Sequence, residues 1–189
     1  MAKNEKELNF KINNNIVLIE GIDKHFFNIL LKLYKPFLSS SHFKDPIQFT
    51  IFHLKSIIGF IQIGKSPARF IQIALIPDAK GKGITKDVIF ALTKKLEIEK
   101  IGWTADKSNY PSLKLLYDLG GELNTKSLDS KKKKAEGYLR IKKSKIDKES
   151  ANLKSILSSS KEKFLIWHKE EFDKRKQEMI TLHEYVQKL

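Results

Sequence analysis

The sequence has no cysteine and only two methionines and two tryptophans among its 189 residues. The lack of cysteine excludes disulfide bonds, thiolate metal sites and a cysteine nucleophile, and it fits a reducing compartment. No apolar run reaches the roughly 18 residues that a membrane span requires, and the polar residues 1–6 lack the apolar segment of a signal peptide. We therefore expect a soluble, cytoplasmic protein without a membrane segment.

Arginine is also scarce, although the net charge is +14. Arg69, Arg140 and Arg175 are the only arginines, so nearly all of the positive charge is lysine. The planar guanidinium is the usual side chain for reading phosphates, and the charge alone therefore does not indicate a dedicated nucleic-acid-binding protein. The five histidines show no metal-ligand spacing, and no metal site is predicted.

Strand and helix patterns alternate along the first 148 residues. The predicted strands are 15–20, 48–54, 57–63, 70–76, 101–105, 122–123 and 137–141. The predicted helices run from a cap at Asp23 to Leu33, over 84–96, and from about Pro111 to Leu119. The run 70–76 is almost continuously apolar, as expected of a central strand covered on both faces. This order of elements predicts a mixed α/β domain.

The character of the chain changes at about Lys148. Residues 150–160 are rich in serine, and 161–189 form one long helical pattern. We therefore divide the chain into a domain, 1–148, and a helical C-terminal extension, 149–189. One stripe of the extension is apolar and comprises Phe172, Met179, Leu182, Val186 and Leu189. This stripe indicates either a helix packed against its own domain or a helix that forms a homodimer.

A glycine-bearing turn, Lys80-Gly81-Lys82-Gly83, separates the apolar run from the next helix. The N-terminus of a helix offers unpaired N–H groups and a partial positive charge to an anion. Glycines allow the backbone to approach a phosphate closely, and the two lysines add charge. The turn is therefore suited to a pyrophosphate, although it matches neither the P-loop nor the dinucleotide fingerprint.

Residues 73–85 resemble the acetyl-CoA motif of the GNAT superfamily of N-acetyltransferases. The motif is matched by Lys80, Gly83 and Thr85, after a strand and Pro77. A second stretch, 109–121, is similar to the second signature of that family, with an Asn, a Ser three residues later, an apolar-faced helix and a glycine eleven residues after the Asn. The resemblance covers 48–125 well and 15–47 loosely, and it does not cover 145–189.

The resemblance implies a GNAT-like, mixed and largely antiparallel sheet flanked by helices, with an added C-terminal helix. It implies an N-acetyltransferase that uses acetyl-CoA as co-substrate and a primary amine as acceptor. In such a protein the N–H groups of 81–85 hold the pyrophosphate, and the strand edge near Ala74 pairs with the pantetheine arm. The residues implied in cofactor binding are Ala74, Leu75, Lys80, Gly81, Lys82, Gly83, Ile84, Thr85 and Asn109.

The catalytic residues depart from the family pattern. Many members carry a tyrosine four residues before the helix-ending glycine, where this chain has Leu116. Tyr117 follows one residue later, about 100° around the helix, and is the candidate acid for the departing thiolate. The strand before the motif has no carboxylate, and Gln72 is the candidate that could orient a water molecule.

Two other functions stay open at this point. The departures at the catalytic positions allow a non-catalytic acyl-CoA-binding or interaction module. Residues 126–148 hold ten Lys or Arg against three Asp or Glu, which indicates a solvated loop, an acidic partner, or an RNA- or ribosome-associated protein. The acceptor pocket is expected to involve residues 36–46.

Overall fold

The computed structural model describes residues 9–38, 45–64, 70–129, 131–141 and 148–188. The turn expected between the predicted strands 57–63 and 70–76, most of the predicted acceptor loop and Leu189 lie at least partly outside these residues. The strands are β1 (Phe10–Lys11), β2 (Ile16–Glu20), β3 (Ile47–His53), β4 (Ser56–Ile63), β5 (Ile71–Leu75), β6 (Lys100–Asp106), β7 (Glu122–Leu123) and β8 (Lys134–Arg140). The α-helices are α1 (Lys24–Leu33), α2 (Ile84–Lys95), α3 (Tyr110–Asp118), α4 (Lys148–Trp167) and α5 (Lys176–Lys188).

The strands form two antiparallel sheets. The first has the order β1-β2-β3-β4-β5 and the second the order β6-β8-β7. One isolated parallel bridge, between Phe70 and Gly102, joins them. The hairpin between β3 and β4 turns at Leu54 and Lys55, which have φ angles of 49° and 72°. The predicted strands 48–54 and 57–63 leave Lys55 and Ser56 between them, so the observed turn lies one residue earlier. Leu54 and Lys55 adopt the left-handed conformation that a tight hairpin requires.

Helix α1 forms where the sequence predicts it. The Asp23 side chain accepts a hydrogen bond from the Phe26 N–H at 2.8 Å, which satisfies one of the donors left free at the helix start. The buried side chains follow helical spacing at Phe26, Leu30 and Leu33. The helix ends at Tyr34, whose N–H donates to the carbonyl of Leu30.

The five-stranded sheet separates two hydrophobic cores, because neighbouring strand residues point to opposite faces. Ile61 joins the core that contains α2, α3 and the first half of α4. Phe60 joins the core formed with α1 and α5. The extension contributes to both, with Leu153 in the first core and Leu182 in the second. The predicted boundary between a domain and an extension at residue 148 stays a prediction. Residues of the extension pack into both cores together with residues of the domain.

The C-terminal extension differs from the predicted single helix over 161–189. Helix α4 begins earlier, at Lys148, and includes the serine-rich stretch. A π-helical turn, His168–Phe172, follows it and the chain then bends before α5. The bend lets α5 turn back on α1, where Leu182 is buried. The apolar stripe therefore has a partner within the chain, and the homodimer stays a prediction that would need another face of this helix.

Candidate functional site

Strands β5 and β6 separate toward their carboxyl ends. They run parallel and meet at the bridge between Phe70 and Gly102, and no further pairing between them follows in the described part of the chain. A Cβ atom at Gly102 would lie 2.7 Å from the Phe70 ring, so the glycine lets the ring pack closely where the strands touch. The remainder of the β5 edge has no partner strand in the described part of the chain. The carboxyl ends of a parallel strand pair, where such sheets bind ligands, lie at this opening.

The register of β5 decides which peptide groups lie on the open edge. At the two ends of its ladder with β4, Phe70 accepts from Gly64 and Ile76 donates to Ile58. Peptide groups alternate along an antiparallel strand, so Ala74, opposite Phe60, also points toward β4. The open edge consequently presents the peptide groups of Ile73 and Leu75.

Tyr34 reaches this edge from the end of α1. Its hydroxyl donates to the Leu75 carbonyl at 2.8 Å, and its side chain is buried. Burial, with the nearby charge of Asp78, raises the pKa of Tyr34 well above its usual value. The phenol therefore stays protonated, and it holds the Leu75 carbonyl by a neutral hydrogen bond.

The turn before α2 leaves its amides free. Gly81 and Gly83 have φ angles of 75° and 76°, and no atom lies within 4 Å of a Cβ built on either. The positive φ angle therefore explains the glycines, and the space beside them is open. Within the described residues, no hydrogen-bond acceptor contacts the five N–H groups from Gly81 to Thr85. This arrangement fits a diphosphate, because its oxygens can accept from several of these amides and oppose the helix dipole.

Lys80 lies between the turn and the strand edge. Its ammonium is 3.9 Å from the centroid of the Tyr34 ring and 5.7 Å from that of Phe172. The residue as a whole is exposed, yet the protein packed around its ammonium removes hydration and lowers the pKa of Lys80 to about 8. The aromatic faces attract the charged form and oppose this effect. Lys80 is thus placed to offer a cation beside the free amides.

Asn109 caps α3 at the same end of the parallel strand pair. Its side-chain oxygen accepts from the Ser112 N–H at 3.3 Å, so the carboxamide NH₂ remains as the donor for a ligand. Helix α3 ends at Gly120, with a φ angle of 73°. The Gly121 N–H then donates to the Leu116 carbonyl at 2.8 Å, which closes the helix by a Schellman motif.

The predicted catalytic residues are not brought together. Gln72 lies in the interior of β5, and its side-chain NH₂ donates to the Gln62 side chain at 3.0 Å. Tyr117 lies on α3 and is partly buried against the first core, with the Lys114 ammonium 5.9 Å from its ring centroid. Leu116 is fully buried, and a Cβ at Gly121 would lie 2.1 Å from it. Leu116 is therefore a packing residue against the helix-ending glycine.

The lysine run 131–134 borders the site. It lies next to the carboxyl end of β6, since Asp106 pairs with Lys134 and the Lys107 N–H donates to the Lys133 carbonyl at 2.8 Å. The lysine side chains in this run are exposed. The run thus adds positive charge at the end of the sheet where the glycine turn and the start of α3 are found.

Sequence reasoning missed Tyr34 and Phe172. Each lies in an apolar pattern that predicts packing, and the motifs that mark the site include neither. The only signal in the sequence was that Tyr34 and Lys35 immediately precede a proline at the end of a helix. The contacts with Lys80 depend on how α1 and the C-terminal extension dock, which local patterns do not specify.

Other kinds of site are less developed in the described ranges. They contain no group of three or more His, Cys, Asp or Glu side chains that could hold a metal ion, and none of their helices is long and apolar enough to cross a membrane. An open depression lies near the carboxyl end of α2, away from the glycine turn. Its lining consists of Phe90, Thr93, Lys94, Glu97, Ile98, Glu99 and Ile141.

Solved acetyltransferases share this fold. An acetyltransferase from Salmonella typhimurium that modifies the N-terminal serine of the 50S ribosomal subunit protein L7/L12 is 13% identical, with a TM-score of 0.57 over 70% of this chain and 99% of that chain. RimL, a ribosomal L7/L12 alpha-N-protein acetyltransferase in complex with coenzyme A, is 13% identical, with a TM-score of 0.56 over 74% and 99%. The microcin C7 self-immunity acetyltransferase MccE, in complex with acetyl-CoA and AMP, is 13% identical, with a TM-score of 0.56 over 70% and 96%.

No protein-family model matches the sequence, and no curated protein matches it significantly. At 13% identity the likeness to these structures concerns the fold. The predicted fold class, a GNAT-like mixed and largely antiparallel sheet flanked by helices, is confirmed.

Proposed function

We propose that this protein is an N-acetyltransferase that transfers an acetyl group from acetyl-CoA to a primary amine. The observation that carries the proposal is the free start of α2 beside the open edge of β5. Acyl-CoA has a diphosphate and, next to it, a pantetheine arm with amides, and these two chemical features match the two unpaired features of the protein. The similar structures that are described with bound coenzyme A or acetyl-CoA support the same ligand.

In this proposal, different groups of residues bind the diphosphate and the pantetheine arm of acyl-CoA. The amides of Gly81, Lys82, Gly83, Ile84 and Thr85 would hold the diphosphate, with the ammonium groups of Lys80 and Lys82 beside it. The peptide groups of Ile73 and the N–H of Leu75 would pair with the pantetheine arm as an added strand would, while the Leu75 carbonyl accepts from the Tyr34 hydroxyl. Ala74 would support this stretch without binding the arm directly, since its peptide groups face β4 and its side chain is buried in the second core. Asn109 would donate its carboxamide NH₂ to the arm.

The acyl transfer itself requires few side chains. A neutral amine would attack the thioester carbonyl, and an edge N–H would stabilise the negative charge that develops on the carbonyl oxygen. The Ile73 N–H is the candidate, because it lies on the open edge nearer to the point where the strands meet. Positioning and a good thiolate leaving group can supply much of the acceleration. Tyr117 as the acid and Gln72 as a water-orienting group stay proposals.

Two measurements test the proposal. Calorimetry with coenzyme A should show binding to the full chain, and acetyl-CoA mixed with a panel of amines should release thiol. The absence of any binding to coenzyme A would overturn the proposal. The lack of cysteine in this chain helps the second assay, because a thiol reagent then reports only on coenzyme A.

A non-catalytic acyl-CoA-binding module is the second candidate. It is favoured by the Gln72–Gln62 hydrogen bond at 3.0 Å and by the burial of Leu116 at the position where many family members carry a tyrosine. These side chains offer neither a base nor an acid to the site. This candidate predicts coenzyme A binding without thiol release across the whole amine panel.

We further propose that the amine belongs to an acidic acceptor. The exposed lysines 131–134 lie at the carboxyl end of β6, where they would attract a negatively charged molecule to the reacting group. A peptide panel with acidic and basic residues after the acceptor amine would test this preference, which should weaken at higher salt. RNA would compete for the same lysines, with a steep salt dependence. We expect this reaction to take place in the cytoplasm.

A further inference from the structure

The C-terminal extension reaches the side of the proposed ligand site. The Phe172 ring lies parallel to the Tyr34 ring, with the centroids 5.8 Å apart and the planes inclined by 14°. The Lys80 ammonium lies over both rings, at 3.9 Å from Tyr34 and 5.7 Å from Phe172. A residue of the π-helical turn therefore contacts the lysine that begins the glycine turn.

Arg175 holds the backbone on both sides of Tyr34. Its Nη1 donates to the carbonyl oxygens of Lys32, Leu33 and Lys35 at 2.7, 2.9 and 2.8 Å. These carbonyls lie in and just beyond the last turn of α1, at the negative end of the helix dipole; among them the Lys32 carbonyl also accepts from the Lys35 N–H at 3.5 Å. The guanidinium thus satisfies the end of α1 and fixes the point from which the Tyr34 side chain starts.

Tyr34 connects this anchor to both parts of the ligand site. Its hydroxyl donates to the Leu75 carbonyl on the open edge of β5 at 2.8 Å, and its ring lies beneath the Lys80 ammonium. The contacts form a continuous path from Arg175 and Phe172, through Tyr34, to the edge that would hold the arm and the cation that would face the diphosphate.

We propose that the C-terminal extension completes the acyl-CoA site, with Phe172 and Arg175 as positioning residues that act through Tyr34 and Lys80. The proposal rests on the proposed function and goes beyond it, because the resemblance to the acetyltransferase motifs ends before residue 145. A lysine side chain has many rotamers, and a ligand that must order it loses affinity. The two rings restrict the Lys80 ammonium before the ligand arrives.

Calorimetry of the full chain with coenzyme A tests this role. Phe172→Leu keeps an apolar side chain but removes the ring over Lys80, and we expect an affinity about five- to tenfold weaker. Phe172→Tyr retains the ring and should restore the affinity to within about twofold. Phe164→Leu is the matched control, because Phe164 contacts Phe37 and Trp167 in the same aromatic cluster. It should stay within about twofold of the wild type, since it removes no ring from the Lys80 ammonium.

Two further variants separate positioning from a loss of stability. Arg175→Gln leaves Phe172 intact and should weaken binding by about threefold or more, because the end of α1 loses its anchor. In a Lys80→Met background, Phe172→Leu should cost no more than about a further twofold, because the two residues act on one contact. Thermal denaturation of each variant shows whether it is folded.

The outcomes are distinct. If the wild type binds coenzyme A, and Phe172→Leu and Arg175→Gln both bind it with unchanged affinity, this inference is overturned and the proposed function stands. An equal loss in Phe164→Leu and Phe172→Leu also overturns it, since general loosening of the extension would then explain both. A wild-type chain that does not bind coenzyme A overturns the proposed function and this inference with it.

Discussion

Helices α1 and α2 begin in opposite ways. At the start of α1, the Asp23 carboxylate accepts from the Phe26 N–H at 2.8 Å and from the Tyr185 hydroxyl at 2.6 Å. At the start of α2, Gly83 provides no side-chain cap, and Lys82 beside it is a cation. One helix end is closed by the protein, whereas the other leaves its amides to be satisfied from outside.

The start of α1 is a structural helix end, whereas the start of α2 has the features of a helix end that binds a ligand. A side-chain cap contributes about 1 kcal/mol of stability, and α2 lacks this contribution. An anion that accepts from the same amides would stabilise α2 only when it binds.

The first prediction concerns a variant in which the start of α2 carries its own carboxylate. Gly83→Asp should weaken coenzyme A binding by at least about a hundredfold, because a carboxylate next to the phosphates repels them and fills the cradle. Calorimetry measures the affinity. Asp at this position also meets a backbone φ angle of 76°, and the strain should cost about 1–2 kcal/mol of stability.

Gly21→Asp is the control for that strain. Gly21 has a φ angle of 96° and no atom within 4 Å of a built Cβ, and it follows β2, away from the site. The variant should lose a similar stability and retain its affinity for coenzyme A to within about twofold. A comparable loss of affinity in both variants would show that strain, rather than the cradle, explains the result.

The second prediction concerns the cation at the open end. The pKa of Lys80 is lowered to about 8 by loss of hydration, so the side chain loses its proton as the pH rises through that value. An anionic ligand prefers the protonated form, and the affinity for acetyl-CoA should fall about tenfold between roughly pH 7 and 9.5. Acetyl-CoA is the better ligand here because it has no free thiol to titrate.

Lys80→Arg sharpens this second test. An arginine stays charged over the whole range, so the pH dependence should largely disappear. The ionisable group in contact with Lys80 is Tyr34, which burial and the nearby charge of Asp78 keep protonated. A slope that persists in Lys80→Arg would assign the titration to a different group.

The third prediction opens the closed helix end. Asp23→Ala should lower the free energy of unfolding by about 1 kcal/mol at neutral pH, with no change in coenzyme A affinity. Urea denaturation measures the first quantity and calorimetry the second. A loss of affinity in this variant would contradict the assignment of the start of α1 as a structural helix end.

The pH dependence of the same variant checks the mechanism. Burial disfavours the charged form, but hydrogen bonds from Tyr185 and from the N–H groups of Phe26 and His25 lower the pKa of Asp23 below its usual value. The lowered pKa means that the contribution of Asp23 is present above about pH 4 and is lost as the pH falls through the folded-state pKa. The stability difference between the wild type and Asp23→Ala should therefore shrink in acid.

The sequence predicted most elements of the domain to within a few residues. The run 15–20 became Ile16–Glu20, and the helix expected to start at 84 is Ile84–Lys95. The short strand Phe10–Lys11 was missed because two residues carry no readable pattern. In the extension, the single helical pattern predicted over 161–189 is divided between the end of α4, which begins earlier at Lys148, and α5.

The run 70–76 shows most clearly what the sequence pattern could not predict. Its apolar residues predicted a strand covered on both faces, and Ile71–Leu75 does contribute to both cores. The pattern of side chains reports on faces, whereas the edges of a strand are lined by peptide groups that are the same in every sequence. The sequence therefore could not predict that the β5 edge beyond Phe70 has no partner strand. It also could not predict that the peptide groups of Ile73 and Leu75, rather than those of Ala74, point toward this edge.

The glycine turn and the helix that follows it could be predicted from the sequence, because positive φ angles at Gly81 and Gly83 and the start of α2 are local properties of neighbouring residues. The end of the pairing between β5 and β6 beyond Phe70, and the convergence of Tyr34, Lys80 and Phe172 beside that edge, depend on the tertiary structure. These three residues are distant in the chain, and their contacts exist because two apolar helix faces, one on α1 and one on α5, bury each other.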